Sequence, residues 1–420
     1  MALLPVLMLL APSPPRAETP PPDLLTFADQ MVSKVAKVRG LRPKRPVAKG
    51  VLGREAIRDK LMARIRNEYG PGEIMNEERV LKRLGLLSKD VNYEKAVMDL
   101  LLEQIAGFYD PFDRKLYIAD WLPEALQAPT LAHEIAHALQ DQRFGLKSYA
   151  TPIKDNGDRQ LARAALVEGD GTAVMLETMM PGLELSQLPD AAFEAAGAPT
   201  GEIMPAYDRA PRFLRESLVF PYTQGLAFIR YIRKLRPWSA VDAVYDRPPE
   251  STEQVIHPEK YFAKERPIRV EDSNVPSLKD HKLLRRDVLG ELVTRLYLEE
   301  GVASDQARLA AEGWGGDRLA AYAATDTSAP LIAHLSVWDS EADADEFARA
   351  ANRVLSKMSG SPESVLPSTY REAGGQECSV ERRGRLVLQI LGSPADRRAL
   401  MSAEIWRSWR VAGRPAGSAM

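Results

Sequence analysis

Cysteine is almost absent from this chain, and its scarcity excludes two common structural devices. Cys378 is the only cysteine among 420 residues. A single thiol cannot form an intrachain disulfide, and it cannot supply a cysteine-based zinc site. The composition therefore excludes a disulfide framework, although it does not exclude export.

The chain also lacks a strong net charge and long apolar runs. Its formal net charge is −2, which gives no global attraction to nucleic acid or to anionic membranes. No apolar span of about 20 residues follows the N-terminal region, so we expect no stable membrane span in the mature chain. Hydrophobic residues at 45% and charged residues at 27% are typical of a soluble globular protein. The length allows one large domain or two medium domains with a sizeable core.

Residues 1–17 have the pattern of a signal peptide. Their apolar run, residues 2–11, is too short to span a bilayer as a mature helix. A basic region before the run is missing, so an uncleaved anchor or a misplaced start codon would give a similar pattern. Residues 18–50, first proline-rich and then basic, are interpreted as a linker. This pattern predicts a secreted, periplasmic or cell-surface protein.

The most informative stretch is His133-Glu134-x-x-His137, which lies in a segment with helical periodicity and with Thr130 as its expected N-cap. On a helix the two histidines share one face, about 6 Å apart along the axis, and can bind one tetrahedral Zn²⁺. Glu134 lies about 100° further round the helix, beside the metal, where it can accept a proton from metal-bound water. The alternative is a buried helix whose histidines only form hydrogen bonds.

A catalytic zinc site of this kind needs a third protein ligand and one open position for water. Glu168 is the best candidate, because it is a carboxylate on an otherwise apolar predicted helix, residues 160–179. The glycines that follow it allow another backbone or the metal helix to approach closely. Glu177 is the reserve candidate.

Residues 106–119 are predicted to form a β-hairpin just before the metal helix, because two short aromatic and β-branched runs flank a turn. An exposed strand edge at that place can pair with an extended peptide and hold its scissile bond over the metal. An ordinary hairpin without this role is the alternative.

With a downstream helical glutamate, the motif resembles the gluzincin class of zinc metallopeptidases. The wider sequence contains the runs Glu103-Gln-Ile-Ala-Gly-Phe-Tyr-Asp-Pro, Leu116-Tyr-Ile, His133-Glu-Ile-Ala-His-Ala-Leu-Gln-Asp-Gln-Arg-Phe, Val167-Glu-Gly-Asp, Phe220-Pro-Tyr-x-x-Gly225, Ser251-Thr-Glu-Gln-x-x-His-Pro-Glu-Lys-Tyr261 and Gly313-Trp-Gly-Gly-Asp-Arg318. Through these runs it is similar, over about residues 95–350, to a family of exported or surface proteins of bacteria and haloarchaea. The spacing from His137 to Glu168 is longer than in the best-known gluzincins, and their Glu-x-x-x-Asp pattern is absent here, which leaves the third ligand open.

Amide hydrolysis also benefits from a hydrogen-bond donor aimed at the developing oxyanion. His257 is the candidate for this catalytic role, with Tyr222 and Tyr261 as alternatives. A histidine that only structures the turn before Pro258 would give the same local pattern.

These patterns predict an α+β protein with a mostly helical, zincin-like catalytic domain over residues 51–280 and a small α+β module over residues 281–420. Gly313-Trp-Gly-Gly is expected to be a turn, and the module's predicted elements are helices at residues 283–298, 342–358 and 395–409 and strands at residues 318–324, 331–338 and 385–391. The expected reaction is zinc-dependent hydrolysis of peptide bonds in a peptide or protein substrate. The alternatives are a non-catalytic, metal-stabilised surface or adhesion protein and a zinc amidase that acts on a cell-wall substrate.

Overall fold

A computed structural model describes residues 24–188, 205–234, 236–323 and 329–412. Within these ranges the fold is mixed α and β, with helices more abundant than strands, in agreement with the predicted α+β class. The proposed signal peptide, residues 1–17, lies outside the described residues. No helix in the described part of the chain has both the length and the apolarity that crossing a bilayer requires.

Helices make up most of the N-terminal two thirds of the described chain. Their bounds are α1 Leu24–Arg39, α2 Arg54–Glu68, α3 Glu73–Arg83, α4 Tyr93–Gln104, α5 Glu124–Phe144, α6 Lys147–Ala150, α7 Gly157–Met179, α8 Pro205–Arg209, α9 Arg212–Arg233, α10 Trp238–Asp246, α11 Thr252–Ile256, α12 Pro258–Phe262, α13 Gly290–Leu298, α14 Ser304–Ala311, α15 Glu341–Ser359 and α16 Arg398–Ser408. Short 3₁₀ turns lie at Leu185–Gln187 and Pro276–Leu278.

Within the described residues the strands form three sheets. Their bounds are β1 Ala48–Leu52, β2 Gly107–Asp110, β3 Lys115–Ala119, β4 Val270–Glu271, β5 Leu283–Asp287, β6 Trp314–Tyr322, β7 Leu331–Trp338, β8 Ser368–Arg371, β9 Gln376–Arg383, β10 Leu386–Pro394 and β11 Arg410–Val411. The first sheet has the order β1-β3-β2, the second has the order β5-β6-β7-β10-β9-β8, and β11 pairs with β4. The predicted hairpin is present as β2 and β3, whose strands pair antiparallel with Phe108 opposite Tyr117.

The six-stranded sheet is covered on both faces, so it is a core element of the molecule. Every residue of β7 is buried, and alternate residues of this strand contribute to two different apolar clusters. Ile332 and Trp338 belong to the cluster that includes Phe347 of α15. Leu335 belongs to the cluster that includes Ile405 of α16. This period-two alternation places helices against both faces of the sheet.

Buried polar contacts join the six-stranded sheet to the preceding helical region. The backbone N–H of Gly157, at the start of α7, donates to Asp287 of β5 at 2.7 Å. Arg285 of β5 lies 3.5 Å from the carboxylate of Glu77 on α3. The two predicted domains, residues 51–280 and 281–420, therefore share a bonded interface close to the N-terminal end of α7.

Three helices that cross at close range position the candidate site. A Cβ atom added to Gly169 of α7 would lie 2.2 Å from the backbone of Gly225 on α9, far inside any permitted contact. Only glycine at both positions allows these two helix backbones to touch. On its other side α7 packs against α5, which carries the two motif histidines.

The prediction that residues 18–50 form a linker is wrong for most of the part that the structure describes. Residues 24–39 form α1, with Leu24, Ala28, Met31 and Val35 on its buried face, and residues 48–52 form β1, which pairs parallel to β3. Local composition misled the prediction, because the basic residues that suggested a solvated connector include Arg39. That side chain is only 1% exposed and is paired with Asp170 at 2.7 Å.

Three other elements differ from the expectation. Helix α5, which carries the histidine motif, begins at Glu124, whereas the sequence predicted a start after Thr130. The helix tolerates Pro129 near its N-terminal end, where the missing N–H removes a single helical hydrogen bond. Residues 283–287, predicted as the start of a helix, form β5 and hydrogen-bond to β6. Gly313-Trp-Gly-Gly is not simply a turn, since β6 begins at Trp314 and only Gly313 has a positive φ, of 81°.

Candidate metal centre

Helix α5 and helix α7 bring three potential metal ligands together. The side chains of His133, His137 and Glu168 form a group whose ligand atoms all lie within 4.8 Å of one another. The two histidines lie one turn apart on α5, as their spacing requires. Glu168 lies in the middle of α7, the helix that packs against α5.

The distances inside this group are close to those of a tetrahedral zinc site. The Nε2 atoms of His133 and His137 are 2.8 Å apart. A carboxylate oxygen of Glu168 lies 3.1 Å from His133 Nε2 and 3.4 Å from His137 Nε2. Ligand bonds of about 2.0–2.1 Å at tetrahedral angles would separate two ligand atoms by roughly 3.3 Å. A small outward movement of one imidazole would therefore make room for the ion.

Burial and electrostatics also fit a cation at this place. The two histidines are fully buried and Glu168 is 3% exposed. Burial alone would raise the pKa of Glu168, but the two imidazoles outweigh that effect and lower it, so the carboxylate is charged. A buried anion beside two imidazole nitrogens is the donor set that Zn²⁺ binds.

Gly171 explains how α7 comes so close to the two rings. A Cβ atom at this position would lie 2.9 Å from Cε1 of His137 and 3.1 Å from Cε1 of His133. The glycine leaves both imidazoles room to turn their Nε2 atoms toward Glu168. A close approach was predicted at the glycines that follow Glu168, and Gly171 is the one that meets the histidines.

Glu134 lies between the metal group (His133, His137 and Glu168) and the edge strand β2. One carboxylate oxygen, Oε2, accepts a hydrogen bond from the backbone N–H of Tyr109 at 2.7 Å. The other oxygen, Oε1, is buried and has no hydrogen-bond partner among the described residues. Alternate N–H groups of an antiparallel strand point away from its partner, and no strand within the described ranges pairs with the other side of β2, so the N–H of Tyr109 is free to donate to Glu134.

The protonation of Glu134 responds to its surroundings. Burial raises the pKa of this carboxyl to about 8. The nearby Glu168 raises this pKa as well, whereas His137 lowers it. A divalent cation at the site would lower it again by direct attraction. Burial and a bound cation would therefore act on the pKa of Glu134 in opposite directions.

The reserve ligand Glu177 does not belong to the group. Its carboxylate accepts the backbone N–H of Leu185 at 3.2 Å and lies 3.6 Å from Arg233. The structure therefore favours Glu168 over Glu177 as the third ligand.

The predicted role of His257 does not fit its contacts. Its Nε2 lies 2.9 Å from Glu291 and its Nδ1 lies 3.7 Å from Glu259, and no contact joins it to the metal group in the residues that the structure covers. Tyr261 donates its hydroxyl to the carbonyl of Arg247. The structure therefore pairs His257 with Glu291 and does not bring it into contact with the metal group, so its role as oxyanion donor stays a prediction that these contacts do not support.

Tyr222 is the alternative that the structure places at the site. Its ring stacks on that of His133 with centroids 6.1 Å apart. It comes from α9, which continues without interruption through Pro221. Sequence alone could not rank the three donors, since their distance from the histidines depends on how α9 crosses α7.

Sequence reasoning missed the groups that surround the ligands. Gln140 contacts His137, and the backbone of Tyr109 contacts Glu134. Asp141 and Asp170, the acidic residues that follow His137 and Glu168 in the sequence, have other partners: Asp141 accepts the hydroxyl of Tyr109, and Asp170 pairs with Arg39.

Comparison with known proteins covers a different part of the chain. Residues 281–400 match a family model described as "Domain of unknown function (DUF8575)". No curated protein and no solved structure matches the chain. The matched region is less than a third of the chain and contains the six-stranded sheet, whereas the metal group lies outside it.

Proposed function

We propose that the chain is a zinc-dependent hydrolase of the gluzincin type that acts on peptide bonds. The observation that carries this proposal is the convergence of His133, His137 and Glu168 beside a glutamate that is not one of the three ligands. Zn²⁺ held there would polarise the scissile carbonyl and acidify a water molecule. An exported location, with a peptide or protein as substrate, belongs to the same proposal.

Glu134 is the residue that moves the proton. Its Oε2 is held by the N–H of Tyr109, while its Oε1 has no partner among the described residues and is available to the attacking water. Burial raises the pKa of this carboxyl and the cation would lower it, and a carboxyl at this place can accept a proton from the water and return it to the leaving amine. Tyr222, beside His133, is the candidate donor to the developing oxyanion.

The deep burial of the ligands favours a second candidate function. His133 and His137 have no exposed surface and Glu168 is 3% exposed, and a structural zinc site is closed in this way. In that case the metal would stabilise a non-catalytic surface or adhesion protein. The second candidate predicts that zinc raises stability and that no variant changes any hydrolysis.

One comparison of variants separates these functions. Glu134→Ala should bind zinc at the wild-type stoichiometry, because Glu134 is not a ligand, while peptide hydrolysis should fall by about 10²–10⁴. His137→Ala should lose both zinc and activity, together with stability, because metal binding is coupled to folding. Zinc content and cleavage of a proteome-derived peptide library are measured on the same preparations. Wild-type turnover by zinc-loaded Glu134→Ala would contradict the hydrolytic mechanism.

A further inference from the structure

Gln140 lies between the two helices that supply the metal ligands and contacts both of them. Its side-chain oxygen, Oε1, is 2.8 Å from Nδ1 of His137. Its side-chain nitrogen, Nε2, donates to the backbone carbonyl of Val167 at 3.3 Å. Val167 directly precedes Glu168 on α7, so a single buried amide connects one candidate ligand to the backbone beside another.

Donor and acceptor chemistry fixes the direction of both hydrogen bonds. A backbone carbonyl can only accept, so the group of Gln140 that faces Val167 must be its NH₂. The oxygen of the same amide then faces His137, and an amide oxygen also only accepts. His137 must therefore carry a hydrogen on Nδ1.

This hydrogen determines which nitrogen of His137 is available for a metal. With Nδ1 protonated, the nitrogen that can offer a lone pair is Nε2, the atom that faces His133 and Glu168. His133 has no such constraint, because its Nδ1 is buried without a hydrogen-bond partner in the described structure. The two motif histidines are therefore not equivalent.

We propose that Gln140 is a positioning residue of the metal centre, which selects Nε2 of His137 as the ligand atom and ties that ring to the backbone at Glu168. The part of this inference that concerns metal affinity rests on the proposed function. The part that concerns the Nδ1 hydrogen applies to the metal-free protein as well.

The test uses two substitutions of Gln140 and one matched control. Gln140→Met keeps the volume but removes both polar contacts, whereas Gln140→Glu keeps an acceptor for His137. Gln142→Met is the control, since Gln142 is a buried residue of the same helix whose amide binds residues 44 and 45 and contacts no imidazole. Far-ultraviolet circular dichroism confirms that each variant is folded.

Zinc affinity is the first readout. We expect Gln140→Met to weaken zinc binding by about 10–100-fold, the usual effect of losing a partner that orients a ligand. Gln140→Glu keeps the acceptor for His137 but cannot donate to the carbonyl of Val167, so it should lose clearly less affinity than Gln140→Met. Gln142→Met should stay close to the wild-type affinity. Wild-type affinity in Gln140→Met, or an equal loss in Gln140→Met and Gln140→Glu, would overturn the metal-positioning role.

The second readout does not depend on zinc. In metal-free protein with ¹⁵N-labelled histidine, we expect a slowly exchanging Nδ1–H signal from His137, assigned by its disappearance in His137→Ala. The signal should persist in Gln140→Glu and Gln142→Met and be lost or shifted in Gln140→Met. A proton bound only to Nε2 in the wild type would refute the proposed tautomer. If the wild type bound no zinc, the proposed function and the metal-positioning role would fail together, while this spectrum would still decide the tautomer.

Discussion

Removing the guanidinium of Arg39 should destabilise the protein far more than removing a similar charge nearby. Arg39 is 1% exposed, and it donates to both oxygens of Asp170 at 2.7 and 3.1 Å. It also lies 2.7 Å from Asp242 and stacks over the ring of Trp238 at 4.6 Å. In Arg39→Met the fully buried Asp170 would keep only the hydroxyl of Tyr245, at 2.9 Å.

The expected loss follows from the charge that is left behind. Breaking a buried ion pair by removing one partner costs about 3–5 kcal/mol, because the remaining charge has no compensation. Arg45→Met is the matched control, since Arg45 is 42% exposed and lies 3.4 Å from Asp141. A pair of that kind is worth no more than about 1 kcal/mol. Adding Asp170→Asn to Arg39→Met should recover part of the loss.

Urea denaturation of the zinc-free proteins measures these differences. Comparison of midpoints at constant slope gives the change in the free energy of unfolding. If Arg39→Met and Arg45→Met lost the same small amount, α1 would be a dispensable attachment and our account of the N-terminal region would be wrong. A large loss in Arg39→Met alone would show that residues 24–39 are part of the core.

Three further predictions concern individual residues. Glu168→Gln should weaken zinc binding strongly and Glu177→Gln should not, as measured by competition with a chromogenic chelator. The reverse order would identify Glu177 as the third ligand. Gly171→Ala should weaken zinc binding and lower the free energy of unfolding by about 1–3 kcal/mol, because its methyl group would clash with the ring of His137 and crowd that of His133. Wild-type values for both quantities would refute this packing. The hydrogen bond to Glu291 raises the pKa of His257 above its ordinary value of 6.5. The stability lost in His257→Gln should therefore be largest below pH 6.5 and should shrink as the pH rises through the raised pKa. A loss that grows with pH in urea titrations would contradict this pH dependence.

The sequence pattern alone predicted those parts of the candidate site whose residues lie close together in the chain. His133 and His137 share a helix face because of the helical period, and the hairpin before them follows from its turn residues. Glu168 could be predicted from the sequence because a carboxylate on an apolar helix is unusual. The structure places these three side chains together, whereas their role as zinc ligands remains a prediction.

The remaining features depend on contacts between distant parts of the chain. Arg39 and Asp170 are 131 residues apart, and nothing in a basic N-terminal segment indicates a buried partner. The imidazole of His257 could have faced a substrate or an internal carboxylate, and Glu291 decides between them. Gln140 resembles any polar residue of a helix until its two contacts are known.

The proposed function requires a zinc ion held by three protein ligands with its fourth position open. Zinc K-edge absorption on the zinc-loaded protein, combined with anomalous diffraction at the same edge, measures the ligands directly. We predict one ion bound to His133, His137 and Glu168 at about 2.0–2.2 Å, with an exchangeable solvent ligand completing the shell. A fourth protein ligand, or an ion bound elsewhere in the chain, would contradict the account.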